Sequence, residues 1–93
     1  MTIGLCRLVL YLPESGSLKS KRSILKSIRT RVRNKFNVSI SELSDNDLWQ
    51  KAVLGVAVVS NETRHANQVL SKVVDLVQTD ARVELVDYSL EMI

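Results

Sequence analysis

Residues 18–36, LKSKRSILKSIRTRVRNKF, are the stretch around which the rest of the chain is organised. At about 100° per residue, its apolar side chains fall within roughly 120° of arc, the width of a stripe that packs on a protein core. These side chains are Leu18, Ile24, Leu25, Ile28 and Val32. The pattern therefore predicts an amphipathic helix with one buried face, and Ser17 is expected to cap its first turn.

The same predicted helix concentrates positive charge. It carries eight of the 13 Lys and Arg residues, and no Asp or Glu occurs between residues 15 and 41. Five of the cations follow the spacing i, i+3, i+7, i+10 and i+14, which aligns them beside the apolar face over about 20 Å. We call this set the basic stripe: Lys19, Arg22, Lys26, Arg29 and Arg33. Lys21, Arg31 and Lys35 are assigned to other parts of the helix.

The charge of the chain is unevenly distributed. Its formal net charge of +3 divides into +8 in this helix and −5 in the remaining residues. An imbalance of this kind favours an anionic partner, because five aligned cations without carboxylates between them repel one another. A face that is only solvated is the alternative, since Lys and Arg favour helices and their stems cover apolar neighbours.

Length and composition limit the other possibilities. The chain has 93 residues, 45% of them hydrophobic, which predicts a single globular domain spanning residues 1–93. One Cys and one His provide neither a disulfide nor a zinc site, so we expect no metal and no cofactor. The apolar N-terminus is too short to span a membrane and lacks the features of a signal peptide. These features predict a cytoplasmic protein without a membrane partner.

The order of the predicted elements defines a fold. Period-two and period-3.6 patterns predict strands at residues 2–12, 36–43, 50–59 and 82–91 and helices at 18–36 and 62–78, the second capped by Asn61. This βαββαβ order is the α+β, ferredoxin-like arrangement, with a four-stranded antiparallel sheet in the order 4-1-3-2 and both helices on one face. The first and third strands are apolar on both sides, so we expect another subunit or a ligand to cover the open face.

Three motifs resemble those of the YlxP-like family of small bacterial proteins. They are SLKSKR at residues 17–22, FNVS at 36–39 and DLWQKA at 47–52, and the resemblance extends from residue 3 to residue 90. It implies a ferredoxin-like fold and a function that is not established. Genes of this family commonly lie among those for transcription termination and translation initiation factors, and that context implies association with RNA or the ribosome.

No set of residues points to catalysis. Cys6 lies within a strand and is expected to be a core thiol, and His65 is expected on the surface without a partner. Glu42, Asp45 and Asp47 are assigned to turns and caps, because the glycine and final glutamate of a calcium loop are missing. The SGSLKSK loop fits helix capping better than a phosphate site. Acylphosphatases share this size and fold but need an arginine after the first strand, where residues 13–17 have none.

Three classes of function remain open at this point, of which an unrecognised enzymatic activity is the least favoured. The first is a non-catalytic accessory protein that binds RNA or the ribosome through the basic stripe. The alternative is a homo-oligomeric structural or small-ligand module, such as a homodimer, joined through the open sheet face. Trp49 is expected to anchor the turn before the third strand, with a partner contact or base stacking as the alternative. Few aromatic residues are present, which disfavours RNA binding by the sheet itself.

Overall fold

The structure is a computed structural model that describes residues 1–44 and 47–93. Its elements follow the predicted order: β1 (Thr2–Tyr11), α1 (Leu18–Lys35), β2 (Ser39–Ser44), β3 (Lys51–Ser60), α2 (Thr63–Gln78) and β4 (Glu84–Met92). All strand pairs are antiparallel, and the strand order β2-β3-β1-β4 confirms the predicted 4-1-3-2 sheet. The chain therefore has an α+β, ferredoxin-like fold.

The hydrophobic core lies between the sheet and the two helices. Helix α1 packs over β2 and beside α2, while α2 packs over β1, β3 and β4. The buried residues of β1 alternate, with Leu8 and Leu10 on the helix side, and their partners Leu54 and Ala52 on β3 are buried with them. Gly4 permits close packing there, because a Cβ at this position would lie 2.9 Å from Cδ1 of Leu70 on α2. The period-two pattern of β1 thus determines which side of the sheet the helices cover.

The side of the sheet away from the helices is called the open face below. Its central rows come from β1 and β3, in which the half-buried Ile3, Leu5 and Val9 pair with Val59, Ala57 and Val53. The prediction that these strands are apolar on both sides is thus correct for most of their length. Arg7 on β1 is the exception, because an exposed cation stands in the middle of the apolar rows.

Most predicted boundaries differ from the observed ones by one to three residues, and local hydrogen bonding explains two of the differences. Strand β2 begins at Ser39 instead of residue 36, because the N–H of Phe36 closes α1 by donating to the Val32 carbonyl oxygen at 2.8 Å. Phe36 and Val38 still pack against the core. Helix α2 is preceded by Glu62 as its N-cap residue instead of Asn61, and the Glu62 side chain makes no capping bond. The Glu62 N–H donates to Oγ of Ser60 at 3.1 Å.

Candidate nucleic-acid interface

Helix α1 begins after the capping residue that the sequence predicts. The Ser17 Oγ accepts a hydrogen bond from the backbone N–H of Ser20 at 3.0 Å, which confirms the predicted cap. Ser15 is buried and donates from its Oγ to the Ser17 carbonyl oxygen at 3.2 Å. The SGS loop is therefore occupied with capping α1, as expected. No acidic residue lies in the first turn of the helix.

The basic stripe lies on the outer side of α1, next to the edge strand β2. Lys19, Arg22, Lys26 and Arg33 are exposed, whereas Arg29 is half-buried. Arg33 donates from Nη2 to the carbonyl oxygen of Ile40 at 2.9 Å, so its guanidinium is held against β2. Among the described residues, the buried Nε of Arg29 has no hydrogen-bond partner. Arg22 and Lys26 are consequently better positions than Arg29 for changing charge without disturbing the fold.

Lys21 is a buried cation of α1. It is 1% exposed, and its Nζ lies 2.9 Å from Oε2 of Glu42 on β2, whose side chain is 18% exposed. The sequence predicted only that Lys21 lies away from the basic stripe, and the structure places it on the buried face of α1. On a wheel of about 100° per residue, Lys21 falls between Ile28 and Val32, at the centre of the apolar face. This position on the wheel indicates burial, although a lysine is seldom buried unless it is paired.

Glu42 corrects one prediction. It is a strand residue that faces the helices, not a turn or cap residue, because it pairs with Leu54 on the helix side of β3. Asp47 lies in an exposed turn, as expected. The prediction for Asp45 lies outside the described residues.

Arg31 belongs to a polar cluster between α1 and the turn that follows α2. The buried carboxylate of Asp80 accepts from Arg82 Nε at 2.9 Å and Nη2 at 2.7 Å, and from Arg31 Nη1 at 3.4 Å. Arg82 also donates to Oγ of Ser27 on α1 at 3.0 Å. The hydrogen bonds from Arg82 outweigh burial and hold the pKa of Asp80 below its ordinary value. In turn, the hydrogen bond to Asp80 raises the pKa of Arg82. The cluster attaches α1 to the end of α2.

The fold thus pairs some cations of α1 and leaves others without carboxylates. Lys21 pairs with Glu42 and Arg31 with Asp80. Within residues 1–44 and 47–93, no carboxylate lies within 4.0 Å of any cation of the basic stripe. Their positive charges therefore add along one side of the helix, which attracts polyanions.

The other candidate residues have the following places. Cys6 is buried, and burial raises the pKa of its thiol to about 11, so it is a core thiol as predicted. His65 is exposed in the first turn of α2, also as predicted. In the described part of the chain, no three potential ligands are grouped to hold a metal ion. None of the helices described is long and apolar enough to cross a membrane.

Trp49 is more exposed than expected of a structural anchor. Its side chain is 55% exposed, and it borders a shallow groove of about 490 Å³ with Tyr11, Leu48 and Lys51. The expectation of a buried tryptophan is wrong, because Trp49 lies with Tyr11 and Lys51 at the end of the open face, which no described helix covers. The neighbouring Gln50 attaches this turn to the loop after β1 by donating from Nε2 to the Pro13 carbonyl oxygen at 3.1 Å.

The fold and the surface define a class: a small ferredoxin-like domain with a basic first helix and an uncovered sheet face. The chain belongs to the family DUF503, described as a protein of unknown function, whose model matches residues 3–90. It is 42% identical over 79 residues to "Uncharacterized protein YlxP" of Bacillus subtilis (strain 168), covering 85% of this chain and 84% of that protein. The resemblance to the YlxP-like family is thereby confirmed.

A solved structure with the same fold is the "De novo designed protein Foldit4". It aligns with a TM-score of 0.56 at 9% sequence identity, over 100% of this chain and 97% of the designed one. At this identity the similarity concerns the fold alone.

Proposed function

We propose that this chain is a non-catalytic accessory protein that binds RNA, free or within the ribosome, through backbone phosphates at the basic stripe. The observation that carries the proposal is the contrast within α1. Lys21 and Arg31 are paired with carboxylates of the fold, whereas no described carboxylate lies within 4.0 Å of the five stripe cations. Aligned, uncompensated cations gain most from a polyanion, because each contact releases a counterion from the phosphate backbone.

The dimensions of the stripe suit a strand of RNA. From Lys19 to Arg33 the helix rises about 21 Å at 1.5 Å per residue. If about four phosphates of a single strand are neutralised, the slope of log K against log salt is near −3. Such binding reads charge and spacing instead of base sequence, so it is expected to be largely independent of sequence.

A charge reversal with a matched control tests the proposal. The double variant Arg22→Glu/Lys26→Glu changes two exposed stripe positions, and Arg64→Glu/Lys72→Glu changes two exposed positions on α2 by the same total charge. The probe is a 12-nucleotide single-stranded RNA of mixed sequence, titrated at several salt concentrations. We expect the stripe variant to bind at least tenfold more weakly, with a slope reduced by about 1.4, while the α2 variant stays close to wild type.

A parallel assay addresses the ribosome. Wild type and both variants are sedimented with ribosomes through a sucrose cushion, and we expect the stripe variant to be depleted from the pellet. Equal RNA affinity for the two double variants at low salt would contradict the assignment, because net charge and not the stripe would then determine binding. Equal melting temperatures exclude misfolding as the cause of any loss.

A further inference from the structure

The open face carries a groove that crosses all four strands. The groove has a volume of about 450 Å³, and Gly55 and Ala57 form part of its lining. Leu43 of β2 folds over Gly55, with Cδ1 2.8 Å from the place where a Cβ would be. The same face exposes large apolar side chains, with Leu43 at 55% and Val59 at 67%. Exposed apolar patches of this kind on a folded protein mark sites of interaction.

The charges on this face are separated by strand. The register places Glu84, Asp87 and Glu91 of β4 on the open face, since they pair with Tyr11, Val9 and Leu5. Its cations are Arg7 on β1 and Lys51 on β3. Because the acids lie along one edge strand, a second copy of this surface can stack on it only in an orientation that keeps the two acidic strands apart.

We propose that a second copy of this chain covers the open face, with the two sheets stacked around a twofold axis parallel to the strands. The area is sufficient for this partner. Four strands about 4.8 Å apart and about 30 Å long present roughly 600 Å² per copy. Stacking two such faces buries about 1,200 Å², which is the lower end of the range for specific protein interfaces.

The charge pattern selects the direction of the axis. A twofold axis perpendicular to the strands and in the plane of the interface places β4 against β4 of the second copy, so that six carboxylates face one another. An axis parallel to the strands places β4 against β2, whose open-face positions Ser39, Ser41 and Leu43 carry no charge. Because like charges facing each other destabilise an interface, the parallel axis is favoured.

The parallel axis also determines which residues Arg7 faces in the second copy. Arg7 pairs with Gly55 across the two central strands, so an axis midway between β1 and β3 brings Arg7 of each copy over Gly55 of the other. Gly55 has no side chain of its own, but Leu43 lies over it, so the stem of Arg7 from the other copy packs on Leu43. Glu91 lines the same groove as Arg7 and supplies the carboxylate that a cation needs once water is excluded.

The first test measures the oligomeric state by sedimentation velocity up to about 100 µM. We expect the wild type to be dimeric and Leu43→Glu and Arg7→Glu to shift it to monomers, with dissociation constants raised at least tenfold. Tyr88→Glu is the matched control, since Tyr88 is 50% exposed on the other edge strand and pairs with Leu8 on the helix-covered side. Melting curves verify that every variant is folded.

Three outcomes would overturn the proposal: a monomeric wild type at about 100 µM, a dimer that persists in Leu43→Glu, or equal loss in the Tyr88 control. Native mass spectrometry adds a further one, because a monomer that retains a small molecule would show a ligand in the groove instead. The result is independent of RNA binding, since Arg22→Glu/Lys26→Glu changes only the other side of the molecule and is expected to remain dimeric.

The second test determines the axis by cross-linking. Ser41 pairs with Gly55, and Ser89 pairs with Arg7, so all four residues lie at one level of the sheet. Stacked sheets are about 10 Å apart, which suits a bismaleimide of that length. Mixing Ser41→Cys with Ser89→Cys is expected to give cross-linked dimers, whereas either variant alone gives none. Dimers from Ser89→Cys alone would overturn the parallel axis, and the buried Cys6 is expected not to react.

Discussion

Replacing Lys21 by Met tests how the buried ion pair supports α1. The Nζ of Lys21 lies 2.9 Å from Glu42 Oε2, with side-chain exposures of 1% and 18%. Removing one partner of a buried pair costs about 3–5 kcal/mol, because the remaining charge loses its compensation. Glu42 retains some contact with water, so Lys21→Met is expected near the lower end, about 3 kcal/mol. That is a large part of the roughly 5–15 kcal/mol by which such domains are stable.

Replacing Glu42, alone and together with Lys21, measures how strongly the two charges are coupled. Glu42→Leu leaves the buried Lys21 charge without the Glu42 carboxylate, and we expect a loss of similar size, about 3 kcal/mol. The double variant Lys21→Met/Glu42→Leu removes both charges and keeps the volume, and we expect it within about 1 kcal/mol of wild type. Urea unfolding followed by circular dichroism measures all four proteins. If the two single losses simply add in the double variant, the pair is not coupled and the reasoning fails.

Three further predictions concern the Asp80 cluster, a core glycine and the exposed tryptophan. Because the pKa of Asp80 is lowered in the folded state, its contribution to the free energy of unfolding is present above the ordinary Asp pKa of about 4 and is lost as the pH falls below it. Asp80→Asn should lower the free energy of unfolding by about 2 kcal/mol at pH 7, and urea titrations of this variant should show a smaller loss of stability at acid pH. Gly4→Ala should cost about 1–3 kcal/mol by overpacking against Leu70, whereas Gly16→Ala, with nothing within 4 Å, should cost far less; equal melting temperatures would contradict this. Trp49→Ala should cost about 1 kcal/mol because the side chain is 55% exposed, and it should leave the salt slope of RNA binding unchanged; loss of binding at an unchanged melting temperature would move the interface to this turn.

The sequence contained most of the fold because its apolar patterns are regular. The alternating residues of β1 and the i, i+3, i+4, i+7 pattern of α2 each require one period, and the βαββαβ order then leaves few topologies. The ends of the elements were harder to predict from the sequence. Phe36 and Val38 continue the alternating pattern of β2, although the N–H of Phe36 donates to α1. Sequence patterns show which residues favour a strand but not which hydrogen bonds compete for them.

The candidate site was predictable only in part, because charge alone does not reveal a partner. The stripe cations could be identified from their spacing, which is a property of one helix. The partners of Lys21 and Arg31 lie 21 and 49 residues away, on β2 and in the turn after α2, so both pairs depend on the tertiary fold. The exposure of Trp49 depends in the same way on which face of the sheet the turn before β3 borders.

The two proposed surfaces are compatible because they lie on opposite sides of the sheet. Stacking the open faces places both helix layers on the outside of the dimer, so neither α1 is covered. With sheets about 10 Å apart and helices about 10 Å above each sheet, the two basic stripes lie roughly 30 Å apart and face away from each other. One short RNA strand cannot contact both stripes at once, whereas a folded RNA with two accessible segments can. The dimer would then gain affinity for large RNAs through two linked contacts, while each stripe keeps the salt dependence of a single site.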